Sequence, residues 1–317
     1  MERRPLGSSG IEVSRVILGC GNFGGIGSAP AFFGHGDSKE QAFVLLDAAR
    51  ELGITTLDTA DAYGGGASES FIGEWLRSRR VPRDEVELST KVYNPMGEGL
   101  DHGLAPERIR RQLDGSLERL GVDHVDMYLT HAPDPETPLA ETLATMDDLR
   151  AAGKVRAVGG ANLDGATLRE SLGTYRWVQN AYSLIDREAE REVLPLCAAN
   201  GLGFTPFSPL AGGLLTGKYR RGEPPPPGSR MATRPEMVEH LSEEQIYGTA
   251  ERLLGVAARF GVDAPTLAFA WLFAQPGVTA VIVGPRRPEH PLPALRALEL
   301  ELGDELVAEL DELSTEP

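Results

Sequence analysis

The chain has 317 residues, and 41% of them are hydrophobic, which is enough to bury a large core. Its formal net charge of −16 disfavours a general attraction to nucleic acid or to anionic lipid. The sequence contains neither a charged start followed by an apolar segment nor an apolar run of about 18 residues, so we expect a cytoplasmic protein without a membrane partner. Its two cysteines, Cys20 and Cys197, lie far apart without metal-ligand spacing, and we expect two reduced thiols.

The first predicted element is a hairpin. The segment "RRPLGSSGIEVSRV" has two short extended runs around a Ser/Gly turn. We expect this hairpin to cap one end of the fold.

Eight short apolar runs follow, separated by longer segments of helical periodicity. The runs are nearly continuous in apolar residues, as in parallel strands that are covered on the outside. Helical patterns occupy residues 38–53 and 105–121, and a third ends at Gly153. Eight such units predict an α/β fold of the (β/α)8 TIM-barrel type in one domain over residues 1–317, with a doubly wound sheet as the alternative. The predicted strands are residues 15–20, 55–60, 85–91, 125–131, 154–160, 176–182, 203–209 and 278–284.

A long Pro-rich loop follows the seventh predicted strand. In residues 220–235, "RRGEPPPPGSRMATRP", the prolines and glycine predict an absence of regular structure. Loops of this length in a compact domain are usually functional or disordered.

Ionisable residues stand where three consecutive strands are predicted to end. Asp58, Lys91 and His131 close the second, third and fourth predicted strands, and Tyr63 follows Asp58 by five positions. Each of them alone has a structural explanation, such as a cap, an exposed strand end or a packed ring. Active sites of such barrels lie at the C-terminal ends of the strands, so we expect the four to converge there.

These four residue types suit acid–base chemistry on a carbonyl group. A phenol has a pKa near 10, and a neighbouring ammonium group stabilises its phenolate and lowers that pKa. Asp58 would keep Lys91 charged, and His131 could donate a hydrogen bond to an oxygen that gains negative charge. The set predicts protonation of a carbonyl oxygen while another group delivers hydride.

The motifs "DTADAY", "STK" and "YLTHAPDP" resemble the catalytic segments of aldo-keto reductases. The matching segments occur in the same order as in that family, from "LGCGNFG" through "SPLAGGLLTGKY" to "VIVGPRRPE". The resemblance implies NADPH-dependent reduction of an aldehyde or ketone, with Tyr63 as general acid, Lys91 and Asp58 tuning it, and His131 orienting the carbonyl. Two alternatives stay open: a cofactor-binding regulatory subunit similar to potassium-channel beta subunits, and a sugar dehydrogenase working in the oxidative direction.

The resemblance also implies a set of cofactor-binding residues. Gly21 and Asn22 would lie beside the nicotinamide ribose, and Asn162 and Gln179 would bind the carboxamide, with Phe207 under the ring. The others are Ser208, Leu210, Gly212 and Lys218 along the pyrophosphate, Arg230 in a loop that closes over the phosphates, and Gly284, Arg286, Arg287 and His290 at the adenosine end.

Three positions depart from the pattern of that family. Ala161 stands where a serine is common, and Pro293 and Ala294 replace polar residues near the adenine. We therefore expect NADPH with NADH as a possible cofactor. The glycines of "GCGNFGG" do not form a dinucleotide fingerprint, because no helix is predicted to begin there.

The resemblance implies a small carbonyl compound as the substrate, and several kinds of aldehyde, ketone or sugar would suit the predicted pocket. We expect pocket walls from Phe23, Phe32, Phe33 and Tyr93, with residues 222–235 nearby, whereas Trp75 is predicted to face the barrel from a helix. A metal-dependent hydrolase is disfavoured because His131 is the only histidine at a predicted strand end. We therefore expect no bound metal, and the sequence does not predict an oligomeric state.

Overall fold

The fold is an eight-stranded parallel barrel with surrounding helices, seen in a computed structural model that describes residues 1–239 and 241–313. All eight predicted barrel strands form, most of them shorter than predicted. The strands are β1 (Arg3–Pro5), β2 (Glu12–Ser14), β3 (Val16–Gly19), β4 (Thr56–Asp58), β5 (Glu87–Val92), β6 (Val125–Thr130), β7 (Val155–Ala161), β8 (Trp177–Gln179), β9 (Gly203–Phe204) and β10 (Val281–Val283).

The barrel strands lie in the order β10-β3-β4-β5-β6-β7-β8-β9, and every pair is parallel. Backbone hydrogen bonds join the two outer strands of this order. Thr279 N donates to Phe204 O at 2.8 Å, and Ile282 N donates to Pro206 O at 2.9 Å. The sheet therefore closes on itself, and the predicted barrel is confirmed.

Alternate residues of the strands enter two separate apolar layers. In β6, Met127 and Leu129 belong to a cluster inside the barrel, whereas Tyr128, which lies between them in the sequence, belongs to the larger cluster beneath the helices. This division follows the two-residue period of a strand, and both faces are buried. It explains why the strands read as continuous apolar runs in the sequence.

The N-terminal hairpin is confirmed and covers the N-terminal end of the barrel. β1 and β2 pair antiparallel, with Arg3 opposite Ser14. Leu6 from the turn is fully buried in the cluster inside the barrel. Gly7 in this turn has a φ of 52°, and a Cβ there would lie 2.2 Å from the backbone nitrogen of Gly203, so only glycine admits this close approach of hairpin and barrel.

Local capping chemistry marks the ends of several helices. Ser38 caps the first long helix in a reciprocal capping box with Gln41, and Gly153 adopts a φ of 74° after the fourth. The helices are α1 (Lys39–Glu51), α2 (Ala67–Arg79), α3 (Pro106–Leu120), α4 (Leu139–Ala151), α5 (Gly165–Ser171), α6 (Val193–Asn200), α7 (Arg230–Thr233), α8 (Thr249–Phe260), α9 (Ala264–Ala274), α10 (Leu292–Ala297) and α11 (Asp304–Glu312).

The Pro-rich segment contains more regular structure than we predicted. Its last residues form the short helix α7, because Ser229 accepts a hydrogen bond from Ala232 N and so caps the helix. In the described part of the chain, no single helix is both long and apolar enough to cross a membrane. Only the pair Glu244–Phe260 and Ala264–Ala274 meets those criteria jointly, and the two helices meet at a bend of 93°.

Candidate active site

Strand register brings four polar side chains to the C-terminal end of the barrel. Asp58, the last residue of β4, lies opposite Ser89 of β5. Lys91 lies opposite Leu129 of β6, and His131 follows β6 directly. Tyr63 lies in the turn between β4 and α2. Parallel strands that end at one edge therefore bring these side chains together, although they lie far apart in the sequence.

Lys91 and Asp58 form a buried ion pair at the centre of the site. Lys91 Nζ donates to Asp58 Oδ2 at 2.6 Å, to Thr59 O at 2.9 Å and to the Tyr63 hydroxyl at 3.4 Å. Both charged residues are at most 4% exposed. The three protons of the ammonium group thus each have an acceptor, which a buried charge requires.

The second oxygen of Asp58 is also fully engaged. Asp58 Oδ1 accepts hydrogen bonds from Ser89 Oγ at 3.0 Å and from Gln179 Nε2 at 2.8 Å. Burial lowers the pKa of Lys91, but the charge of Asp58 and the oxygen of Tyr63 outweigh burial and raise that pKa above its ordinary value. Lys91 is therefore a fixed positive charge at neutral pH.

The pKa of Tyr63 differs from our expectation. Burial raises it, the positive charge of Lys91 lowers it, and the negative charge of Asp58 raises it again, so that the pKa lies above its ordinary value. The expected effect of Lys91 is present but smaller than that of burial. Tyr63 is consequently a neutral phenol at pH 7, with its proton in place and a cation 3.4 Å from its oxygen.

His131 is a neutral ring beside Tyr63. The centroids of the two rings lie 5.5 Å apart in an edge-on arrangement. Burial, followed by the positive charge of Lys91, lowers the pKa of His131 to about 3. Two amides hold the residue: Asn94 Nδ2 lies 3.1 Å from its Nδ1, and Asn162 Nδ2 donates to its backbone oxygen at 2.8 Å.

Unusual backbone geometry marks the segments that we predicted to bind the cofactor. Asn162, Ser208 and Ala211 have φ angles of 56°, 55° and 47°, and in the described chain Arg80 is the only other non-glycine residue with a positive φ. Such conformations concentrate at ligand sites. Gly212 and Gly213 continue the left-handed run, and backbone N–H groups in turns of this kind form concavities for anions. These residues fit a cofactor with a pyrophosphate.

Several of the predicted nicotinamide-binding residues lie close to the cluster of Asp58, Tyr63, Lys91 and His131. A Cβ at Gly21 would lie 3.6 Å from the Tyr63 ring. Phe207 is half-buried against the apolar cluster inside the barrel, and Asn162 N donates to Gln179 O at 2.9 Å. Because Gln179 also donates to Asp58, the predicted carboxamide site is connected directly to the ion pair.

The predicted phosphate-binding residues form contacts between loops. Arg230 donates to Asn22 Oδ1 at 3.0 Å, and Arg286 donates to Gly228 O at 2.5 Å. The Pro-rich loop thus contacts both the loop after β3 and the loop after β10. The remaining predicted positions are exposed or half-exposed nearby: Leu210, Lys218, Gly284, Arg287 in an ion pair with Glu289, and His290, whose Nδ1 accepts from Arg286 N.

One of the four predicted pocket walls is wrong. Phe23 is fully buried in the core beneath the helices, because the loop after β3 folds back on itself through a bridge with Asp37. Phe32, Phe33 and Tyr93 are partly exposed near the site, and the guanidinium of Arg234 lies 4.5 Å from the centroid of the Phe32 ring.

The other expectations concern residues outside this cluster. Trp75 lies on α2 and is buried, as predicted. Cys20 and Cys197 are free and buried. Across the described residues, no group of three or more His, Cys, Asp or Glu side chains has the arrangement of a metal site.

Three residues that we did not predict contribute to the site. Ser89 Oγ donates to Asp58, Asn94 Nδ2 contacts His131 Nδ1, and the backbone N–H of the buried Asp61 donates to Lys91 O at 3.0 Å. Ser89 is two positions before Lys91 and could have been found by the two-residue strand period. The segment "YNP" around Asn94 reads only as a turn, and "DTADAY" does not distinguish the roles of its two aspartates.

Comparison with known proteins identifies the same family that the sequence motifs resemble. A sequence model described as "Aldo/keto reductase family" matches residues 15–315. The chain is 36% identical to the "NADH-specific methylglyoxal reductase" of Escherichia coli (strain K12), over 96% of this chain and 95% of that protein. It is 30% identical to the "Versiconal hemiacetal acetate reductase" of Aspergillus parasiticus, over 98% and 96% of the two chains. It is 32% identical to a "Probable voltage-gated potassium channel subunit beta" of Oryza sativa subsp. japonica, over 95% and 92%.

Proposed function

Because the chain belongs to the aldo/keto reductase family and is a nicotinamide-dependent oxidoreductase, we propose that it reduces a small aldehyde or ketone to an alcohol with Tyr63 as the proton donor. The observation that carries the proposal is the position of the Tyr63 hydroxyl. This neutral phenol lies 3.4 Å from the buried ammonium group of Lys91 and edge-on to a neutral His131. The nicotinamide cofactor, when bound, supplies the hydride.

Each residue of the cluster then has one task. Tyr63 gives its proton to the carbonyl oxygen as negative charge develops there. Lys91 stabilises the phenolate that remains, and Asp58 keeps Lys91 charged and in place. His131 donates a hydrogen bond to the same carbonyl oxygen and orients it beside the Tyr63 hydroxyl.

We further propose NADPH as the preferred cofactor, with NADH also accepted. Arg286 and Arg287 follow β10, and guanidinium groups suit a phosphate dianion through paired hydrogen bonds. Arg287 already pairs with Glu289, and Arg286 bonds a backbone oxygen. These existing contacts reduce the gain from a 2′-phosphate. The name of the Escherichia coli relative also supports acceptance of NADH.

The first experiment measures cofactor binding and turnover in the same preparation. Quenching of tryptophan fluorescence is followed during titration with NADPH and with NADH. A panel of aldehydes and ketones that includes methylglyoxal is then assayed at the cofactor absorbance. We expect micromolar binding and turnover of at least one carbonyl compound. Binding without turnover across the panel would favour the regulatory role suggested by the channel-subunit relative.

The variant Tyr63→Phe tests the proton donor. We expect kcat to fall by a factor of at least about 100, while the dissociation constant of the cofactor changes by less than about threefold. A variant with wild-type turnover would contradict the role of Tyr63.

A further inference from the structure

We propose that Asn94 is a positioning residue that holds His131 in the neutral tautomer with its proton on Nε2. The proposal rests on the proposed carbonyl reduction, in which His131 donates a hydrogen bond to the substrate oxygen. Asn94 does not touch the reacting atoms and acts through the ring of His131.

Strand register places Asn94 beside His131. Val92, the last residue of β5, lies opposite Thr130, the last residue of β6, and His131 N donates to Val92 O at 2.8 Å. Both β5 and β6 end at this level of the sheet. Asn94 follows β5 by two residues, and its Nδ2 lies 3.1 Å from His131 Nδ1. The contact thus follows from the ladder that also positions Lys91.

The chemistry of the two groups fixes the tautomer. An amide nitrogen only donates hydrogen bonds, so His131 Nδ1 must accept with its lone pair. A neutral imidazole carries a single ring proton, which then resides on Nε2. The pKa of His131 is about 3 because of burial and Lys91, so the doubly protonated ring is absent at neutral pH. The neutral tautomer therefore determines whether His131 can donate from Nε2.

The surrounding contacts hold both partners by their backbones. Asn94 O accepts a hydrogen bond from Arg108 Nη2 at 2.8 Å, and Arg108 Nη1 donates to Gly103 O at 3.0 Å. Arg108 lies on α3 and is 3% exposed, so it ties the loop after β5 to the helix layer. On the other side, Asn162 Nδ2 donates to His131 O at 2.8 Å. These contacts fix the backbone positions of both residues, from which the two side chains meet.

The variant Asn94→Asp reverses the polarity of the contact. A carboxylate accepts hydrogen bonds and would draw the proton of the neutral ring to Nδ1, which leaves Nε2 without a proton. At lower pH the ring becomes doubly protonated beside the carboxylate, and Nε2 can donate again. We expect kcat/KM of the variant to fall by about 100-fold at pH 8. Between pH 8 and pH 5.5 we expect kcat/KM of the variant, relative to that of the wild type at the same pH, to rise at least about tenfold.

A second readout does not depend on turnover. The ¹⁵N chemical shifts of the histidine rings distinguish the two neutral tautomers, and the chain has only six histidines, so a His131→Gln sample assigns the signal. We expect Nε2–H in the wild type and Nδ1–H in Asn94→Asp at pH 8. Asn200→Asp makes the same charge change at the exposed end of α6 and should leave the tautomer and the pH profile unchanged.

Failure of this inference is distinguishable from failure of the proposed function. An unchanged pH profile in Asn94→Asp, or the same ring tautomer in both proteins, would overturn the role of Asn94 and leave the reductase proposal intact. A wild type without turnover on any carbonyl compound would overturn the proposed function, and the ¹⁵N measurement would still decide the tautomer. If Asn94→Asp fails to fold, Asn94→Leu tests the inference through the ¹⁵N shifts, since it removes the donor and should populate both tautomers, and a ring that keeps Nε2–H alone would overturn the role of Asn94.

Discussion

The buried carboxyl group of Asp61 should make the stability of this protein fall as pH rises from 5 to 7. Asp61 is fully buried, and no side chain among the described residues donates a hydrogen bond to its carboxyl oxygens. Burial, followed by the negative charge of Glu69, raises its pKa from 3.8 to about 8, although Arg108, the backbone N–H of Ala62 and Arg119 oppose the shift. The native state therefore retains a proton that the unfolded chain releases above pH 4.

The size of the effect follows from proton linkage. Between the two pKa values the native state binds one more proton than the unfolded chain, so the free energy of unfolding decreases by about 1.4 kcal/mol per pH unit. The isosteric variant Asp61→Asn cannot titrate. The difference in unfolding free energy, variant minus wild type, should increase by about 3 kcal/mol from pH 5 to pH 7. An unpaired buried amide adds a constant offset that does not depend on pH.

Urea denaturation at pH 5, 6 and 7 measures this difference. All other titrating groups are common to both proteins, so their contributions cancel in the subtraction. Glu118→Gln removes an exposed carboxylate at the end of α3 and should give a curve parallel to that of the wild type. Parallel curves for Asp61→Asn and the wild type would show that Asp61 is ionised in the native state and would refute the reasoning.

Two further variants test the ion pair and the choice of cofactor. Lys91→Met should lower the single-turnover rate by at least about 100-fold and change the dissociation constant of NADPH by less than about threefold, because the phenolate of Tyr63 loses its cation. An unchanged rate in stopped-flow measurements would exclude Lys91 from proton transfer. Arg286→Gln should raise the dissociation constant of NADPH about tenfold and leave that of NADH within about twofold, since only NADPH carries a 2′-phosphate. Equal losses for both cofactors in fluorescence titrations would contradict this role of Arg286.

The fold was predictable because its signals are local. Apolar strands covered on both faces, helices with a capping serine or a terminal glycine, and eight repeats of this unit indicate a barrel without any long-range information. The short helix after Ser229 was missed because prolines and glycine dominate the preceding residues. The burial of Phe23 was also missed, because it depends on how the long loop after β3 folds back to Asp37.

The candidate site was predictable only in its outline. Residues at consecutive strand ends must meet in a barrel, which located Asp58, Lys91 and His131 together. The depth of burial cannot be read from a sequence, and it determines that the pKa of Tyr63 is raised rather than lowered. Asn94 lies in an apparent turn, and its contact with His131 depends on the register of β5 and β6.

The raised pKa of Tyr63 is compatible with proton donation because the charge of Asp58 is distributed over several donors. A proton donor must carry its proton before the reaction, which burial ensures. The phenolate that remains must then experience Lys91 more strongly than Asp58. Asp58 Oδ1 accepts from Ser89 and Gln179, and Asp58 Oδ2 accepts from Lys91, so donors bind both oxygens of the carboxylate. The charge of Lys91 accordingly affects the pKa of Tyr63 more than the charge of Asp58 does. Of the two residues in the ion pair, only Lys91 contacts the Tyr63 oxygen. The charge of the pair that lies closest to the developing phenolate is therefore positive.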